Sequence, residues 1–81
     1  MRFDDTKIDE AALAVLSLAA FEERGITRAW KSIDWDVMNR LYERGLIGDP
    51  RNKAKSVIFT DEGIVAARAA AEKLFSPNTR P

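Results

Sequence analysis

One segment of this 81-residue chain carries both a start signal and a stop signal for a helix. Asp34 is of a residue type whose side chain caps helix N-termini, and Ile33 is spaced to pack on Met38 in a hydrophobic staple. Gly45 stands where a helix commonly ends in a left-handed residue. The sequence therefore predicts a helix between Asp34 and Gly45, with Met38, Leu41 and Tyr42 on its buried face.

The residues after this helix predict a β-hairpin and then another helix. Two short apolar runs, 46–47 and 55–59, flank the turn-forming residues 48–52, which is the pattern of two strands joined by a polar loop. Thr60 precedes a helical period and is suited to cap it. Residues 34–74 are thus predicted to form helix, hairpin and helix.

The first helix of the chain is predicted to begin near Thr6, with Asp9 in the capping-box position, and to end at Gly25. Because it is apolar on nearly all sides, it needs to be covered on more than one side. The cover is either the rest of the domain or a second subunit, and the second alternative predicts a homodimer. The interface residues of that dimer would be Leu13, Leu16, Leu18 and Phe21.

The link at 26–33 is too short to hold a loop, a helix and a turn. Residues 28–31 alternate between two sides as a strand does, so the link is either a short third strand or a single helical turn. The predicted fold class is α+β: a small winged-helix-like domain over 1–75, followed by a flexible tail at 76–81. Its three helices would have the β-hairpin between the second and the third.

Composition excludes several kinds of site. The chain has no cysteine and no histidine, which removes disulfides, thiolate nucleophiles, the commonest metal ligand and the usual general base. We therefore expect a non-enzymatic protein without metal, cofactor or small-molecule ligand. The longest apolar stretch, 11–21, is interrupted by Ser17 and is too short for a bilayer, and the acidic start is unlike a signal peptide. These features predict a cytoplasmic protein with no membrane partner.

Charge is balanced over the whole chain but not along it. The net charge is zero, whereas residues 24–60 hold eight basic and four acidic side chains. A neutral total argues against indiscriminate nucleic-acid binding, and the basic middle leaves room for a local binding patch. The alternative is ordinary solvated surface.

Two sets of side chains are candidates for binding. If the second helix entered a DNA groove and the hairpin met the phosphates, the contacting residues would be Asn39, Arg40, Arg44, Arg51, Lys53 and Lys55. Asp36 and Glu43 on the same helix would repel phosphate, and the alternative is a solvated helix with Asp36 paired to Arg40. Trp30 and Trp35 are either core or dimer-interface residues, or else binding anchors that stack on single-stranded nucleic acid.

The acid pairs Asp34/Asp36 and Asp61/Glu62 are the remaining candidates, since paired carboxylates can do acid–base or metal chemistry. Both pairs stand at helix starts, where negative charge is favourable. Capping is therefore the interpretation that we adopt for them.

Two resemblances add to these expectations. Residues 41–47, 49–51 and 57–63, which read LYERGLI, DPR and VIFTDEG, resemble the second half of MarR-type winged-helix regulators. That resemblance implies a recognition helix and a basic wing that bind DNA. The runs RAWKS (28–32), DWD (34–36), DP (49–50) and KAKSVIFT (53–60), continued as DEG, resemble an uncharacterised family of short bacterial proteins, which implies a bacterial origin and no particular activity.

Together these observations favour a small non-enzymatic homodimer that binds DNA or assists a DNA-binding partner. The alternative is a protein–protein interaction module that keeps the winged-helix scaffold without reading DNA. One departure from the regulator pattern bears on this choice. A complete helix-turn-helix needs a supporting helix ahead of the recognition helix, and only 26–33 is available for it.

Overall fold

The computed structural model describes residues 2–77, which form three helices and a three-stranded antiparallel sheet. The α+β class is therefore confirmed. The strands lie in the order β1-β2-β3 across the sheet. In chain order the elements are α1 (Asp5–Leu18), β1 (Phe21–Glu23), β2 (Ile26–Trp30), α2 (Trp35–Glu43), β3 (Ser56–Ile58) and α3 (Asp61–Phe75).

The β-hairpin lies between α1 and α2, so the prediction that placed it between the second and third helices is wrong. Arg24 and Gly25 both adopt positive φ, at 54° and 80°, and form the two-residue connection from β1 to β2. Such turns match the right-handed twist of paired strands. Gly25 therefore turns a hairpin instead of ending a helix, and α1 stops seven residues earlier, at Leu18.

The strand that was predicted at 46–47 contributes a single bridge, between Ile47 and Phe59. The partner of β3 is β2, with Arg28 opposite Ile58 and Trp30 opposite Ser56. The link after the first helix is thus a full strand, which settles the alternative between strand and helical turn. A β-hairpin stands where a helix-turn-helix would have its supporting helix, and the winged-helix assignment is not confirmed by this topology.

The N-terminus of α1 also differs from the prediction. Asp4, not Thr6, is the cap: its Oδ1 accepts the backbone N–H groups of Thr6 at 2.9 Å and of Lys7 at 3.4 Å. Thr6 lies inside the first turn. Asp9 does not complete a capping box, because its side chain is buried and faces α2.

Both ends of α2 are as predicted, and Met38 and Leu41 are buried, but the prediction that Tyr42 is buried with them is wrong. The Asp34 side chain accepts the N–H of Asp36 at 3.0 Å, and Gly45 adopts φ +76° just beyond the helix. The N–H of Leu46 reaches back to the carbonyl of Leu41 at 3.0 Å, and that of Gly45 to Tyr42 at 2.9 Å. This is the Schellman arrangement, which satisfies carbonyls that a helix end otherwise leaves free.

The start of α3 is locked onto the end of α2. The Thr60 hydroxyl caps α3 by accepting the N–H of Gly63 at 3.0 Å, and it donates to the carbonyl of Gly45 at 2.6 Å. A Cβ atom at Gly63 would overlap the carbonyl oxygen of Leu46. Gly63 is therefore required by close approach, a different reason from the positive φ that Gly45 needs.

The core lies between the helices and one face of the sheet. Helix α1 packs along α3 and against α2, and the largest fully buried side chains are Leu16, Met38, Leu41, Ile47 and Pro50. No helix within residues 2–77 is long and apolar enough to cross a bilayer. Most of the tail that was predicted to be flexible, namely 78–81, lies outside the described residues.

Candidate binding surface

The side of the sheet that points away from the core carries the largest residues of the strands. Side chains alternate between the two faces of a strand, and the register then places one set together. We call this set the outer sheet face; it consists of Phe21, Glu23, Ile26, Arg28, Trp30, Ser56 and Ile58. The opposite face presents Ala29, with no exposed surface, and the buried Val57.

Aromatic rings meet on this face. Phe21 lies opposite Arg28 in the β1–β2 pair, so Trp30 is its diagonal neighbour, and the two ring centroids are 5.2 Å apart with an interplanar angle of 33°. Trp30 still has 55% of its surface exposed. Trp35, at the start of α2, is 52% exposed, so the expectation that either tryptophan is a core residue is wrong.

Arg28 lies in the middle of the outer sheet face and is held by a neutral partner. Its Nε donates to the Ser56 hydroxyl at 2.7 Å, and Nη2 contacts the Ser56 carbonyl at 3.4 Å. No carboxylate of residues 2–77 forms an ion pair with it. The guanidinium therefore has no ion-pair partner in this part of the chain, and some of its N–H donors remain for other contacts.

Further cations lie at the end of β2 and in the loop before β3. The Lys31 Nζ donates to the carbonyl and the side-chain oxygen of Asn52 at 3.0 and 3.1 Å, and it lies 5.7 Å from the centroid of the Trp35 ring. The Lys31 N–H donates to the Lys55 carbonyl at 2.9 Å, which extends the β2–β3 pairing by one bond. Lys53 and Lys55 are exposed.

Arg51, in the same loop, is already paired. Its Nε donates to Asp49 Oδ1 at 3.0 Å, and its guanidinium lies 5.8 Å from the centroid of the Tyr42 ring. The side-chain hydrogen bond from Arg51, followed by its backbone N–H, holds the pKa of Asp49 below the ordinary value of 3.8. Of the three hairpin cations that the sequence nominated, Lys53 and Lys55 are the ones without a carboxylate partner in the described part of the chain.

The arginines of α2 turn toward α1. Arg40 Nε contacts both oxygens of Asp9, at 3.0 and 3.1 Å, and Nη2 donates to Oδ1 at 2.8 Å. Arg44 Nη1 lies 3.7 Å from Asp9 Oδ2, and Asp5 Oδ1 lies 3.9 Å from Arg40 Nη1. The hydrogen bond to Asp9 raises the pKa of Arg40. The partner of Arg40 is thus Asp9 on another helix, not Asp36 one turn away.

The sequence analysis assigned Asp9 to a capping box, although the sequence carried a signal for its buried position. It is 3% exposed, and it lies at i−3, i−4 and i−7 from the buried residues Ala12, Leu13 and Leu16. A carboxylate on the apolar stripe of a helix needs a cation opposite it. Asn39, the remaining candidate on α2, is half-buried.

The four residues nominated for a dimer interface lie in different surroundings. Leu13 and Leu16 are buried within the single chain, so the domain itself covers them. Leu18 is 70% exposed at the end of α1, and Phe21 belongs to the outer sheet face. The structure does not bring the four side chains together on one surface.

The acidic residues that the sequence offered for metal or acid–base chemistry lie at helix starts. No group of three or more metal-ligating side chains occurs among residues 2–77. Asp34 caps α2, and Asp61 and Glu62 lie in the first turn of α3, where they favour the helix dipole. A cleft of about 250 Å³ between the end of α1, the hairpin and α3 is lined by residues that include the buried Phe59 and the exposed Arg68.

Comparison with known proteins places the chain in a family. Residues 4–77 match the family described as "domain of unknown function (DUF6429)", and the chain belongs to that family. It is also 47% identical over 76 residues to the uncharacterized protein y4hR of Sinorhizobium fredii, a match that covers 94% of this chain and 99% of that protein. No solved structure matches the chain.

Proposed function

We propose that this member of the DUF6429 family is a non-enzymatic DNA-binding protein that uses its outer sheet face. The observation that carries the proposal is the pairing of an exposed indole with an unneutralised guanidinium on one uncovered sheet surface. Trp30 is braced by Phe21 at 5.2 Å, and Arg28 is held by Ser56 at 2.7 Å. Aromatic rings and cations interleaved in this way complement stacked bases and phosphates.

The geometry favours the sheet over α2 as the binding element. Arg40 directs its guanidinium at the buried carboxylate of Asp9, and Arg44 approaches the same carboxylate. The exposed acids Asp36 and Glu43 remain on α2 and would repel phosphate. A recognition helix in the winged-helix manner would therefore lose its main cations to α1.

Fluorescence anisotropy with labelled DNA, duplex and single-stranded, tests the proposal at low and at physiological salt. We expect binding at low salt that weakens as salt rises, because phosphate contacts release counterions. Trp30→Ala should weaken binding about tenfold or more, since stacking on one aromatic ring is worth about 1–3 kcal/mol. Phe75→Ala is the matched control, as it removes a half-exposed ring from α3. Absence of any DNA binding at low salt would overturn the proposal.

A second candidate is a self-associating protein-interaction module, and one observation favours it. Val15 and Leu18 lie three residues apart on α1, both exposed, with Leu18 at 70%. They form a short apolar stripe that a second copy could cover. Sedimentation of the wild type against Leu18→Glu tests this candidate: a dimer that the substitution dissociates supports it, and a wild-type monomer at high micromolar concentration rejects it.

A further inference from the structure

We infer that the ligand of the outer sheet face is single-stranded DNA, with one base stacked on Trp30 and the adjacent phosphate held by Arg28. This inference rests on the proposed function and specifies its ligand. The inference follows from three properties of the surface: the exposure of the Trp30 ring, the charges near that ring, and the polar side chains of the face.

An exposed indole can stack only on a base whose face is accessible. In a duplex both faces of every internal base are covered by its neighbours, so a duplex offers groove edges and phosphates but no free ring. Trp30 has more than half of its surface exposed, although the Phe21 ring packs on it at a centroid distance of 5.2 Å. A ring that is held in place and left open fits an unpaired base.

The charges around the ring select an anionic strand over a second copy of the chain. A symmetric dimer through this face would take the Arg28 guanidinium groups of both copies out of water in one interface, which costs the desolvation of two charges. Glu23, at the hairpin end, is the acid that the alternation of β1 places on this face. Lys31 and Lys55 lie one residue beyond the paired ends of β2 and β3 and are joined by a backbone hydrogen bond, so this end of the sheet carries two further cations.

The polar inventory of the face favours DNA over RNA. A ribose 2′-hydroxyl is recognised by a donor or acceptor placed against it. Besides Arg28 and the acid Glu23 at the hairpin end, the polar side chain here is Ser56, which is buried and already accepts the Arg28 Nε at 2.7 Å. The exposed Ile26 and Ile58 flank this centre, and apolar side chains suit the methyl group of thymine.

Tryptophan fluorescence reports on the stacked base directly. In the variant Trp35→Phe, Trp30 is the remaining tryptophan of the chain. Titration with oligo(dT) should quench its emission, and the affinity should exceed that for a duplex of equal length by about tenfold or more. Oligo(rU) of the same length should bind more weakly than oligo(dT).

Two further variants separate stacking from charge and from folding. Trp30→Phe keeps a ring and should retain binding, whereas Trp30→Ala should lose about tenfold or more. Arg28→Gln should lower the slope of log Kd against log salt by about one, which the loss of one phosphate contact predicts. Lys7→Gln, on the exposed side of α1, is the matched charge control and should leave the slope unchanged.

The outcomes distinguish this inference from the proposed function. Duplex or oligo(rU) binding as tight as oligo(dT) binding, or binding that leaves Trp30 emission unchanged, overturns the inference and leaves DNA binding in place. Absence of binding to every DNA at low salt overturns both. Quenching by oligo(dT) that survives Arg28→Gln with an unchanged salt slope overturns the role given to Arg28.

Discussion

The two faces of the sheet invert the usual distribution of side-chain size. The face against the helices presents Ala29 and Val57, both buried, whereas the outer face presents Trp30 and Ile58, both exposed. A sheet that served packing alone would place its largest apolar residues inward. Size on the outer face therefore adds little to the core, and we attribute it to binding.

The same contrast holds for the arginines on the two sides of the molecule. On the closed side, formed by the three helices and the inner sheet face, Arg40 meets Asp9 through contacts of 2.8–3.1 Å. On the open side, formed by the outer sheet face, Arg28 meets the neutral Ser56. The closed side satisfies its charges internally, and the open side leaves a cation for a ligand.

We expect the largest loss of stability from Gly63→Ala, because Gly63 lies where α3 approaches the backbone of Leu46 most closely. The new methyl group would overlap the carbonyl oxygen of Leu46, a backbone atom that also accepts the Thr60 N–H at 3.1 Å. We expect the free energy of unfolding to fall by about 3 kcal/mol, the upper part of the range for overpacking. Denaturant unfolding measures this change.

Gly48→Ala provides the control for that experiment. A Cβ atom there would lie 3.9 Å from Ile58, an ordinary van der Waals contact. Its effect should stay within about 1 kcal/mol, as for a surface substitution. Equal losses from the two substitutions would show that the junction of α2 with α3 is looser than the structure indicates.

Asp9→Ala tests whether the charges of the closed side hold α1 to α2. The substitution leaves the Arg40 guanidinium without its charge-assisted partner, and we expect a loss of about 2 kcal/mol. Glu10→Gln, one residue along, breaks the exposed contact to Lys73 at 3.2 Å and should cost less than about 1 kcal/mol. A loss from Asp9→Ala no larger than that from Glu10→Gln would contradict the contrast between the two sides.

Substitutions on the two sheet faces should separate stability from binding. Val57→Ala removes two methyl groups from the inner face and should lower the stability by about 1.5 kcal/mol while leaving DNA affinity unchanged. Trp30→Ala, on the outer face, should lower the stability by about 1 kcal/mol, the worth of its ring pair, and weaken binding about tenfold or more. Thermal unfolding and anisotropy on the same samples measure both. A Trp30→Ala protein that binds DNA as the wild type does would contradict the contrast between the two sheet faces.

Local signals predicted both ends of α2 and the start of α3, which local hydrogen bonds set. Asp34, Gly45 and Thr60 act on neighbours within a few residues, and all three have the expected roles. The β1–β2 hairpin was missed because Gly25 satisfies two patterns, a helix stop and a two-residue turn. Phe21 belongs to α1 or to β1 depending on a partner strand that only the folded chain supplies.

The binding surface was less predictable because its properties come from register. Trp30 reads as a core residue from size alone, and only the pairing of β2 with β1 and β3 shows that its side of the sheet is uncovered. Arg40 and Asp9 are 31 residues apart, so no local spacing joins them. Charge counting did locate the basic middle of the chain, which is where the open side lies.

The smallest predicted effect concerns the ion pair between Asp49 and Arg51 in the loop 48–55. Arg51 holds the pKa of Asp49 below 3.8, chiefly through the side-chain hydrogen bond at 3.0 Å. A carboxyl whose pKa is lowered by folding stabilises the fold above its unfolded pKa, and the contribution is lost as pH falls through the folded value. The effect is therefore confined to acid below about pH 4, and it is small because both side chains are exposed.

Carboxyl NMR titration of Asp49 resolves this effect better than unfolding does. We expect a midpoint below 3.8 in the wild type and a return toward 3.8 in Arg51→Gln, which removes the main cause of the shift. Lys53→Gln should leave the midpoint unchanged, because Lys53 forms no ion pair with Asp49. A shift of the midpoint with Lys53→Gln as large as that with Arg51→Gln would show that Lys53 interacts with Asp49. Lys53 would then not be a cation available to a DNA strand.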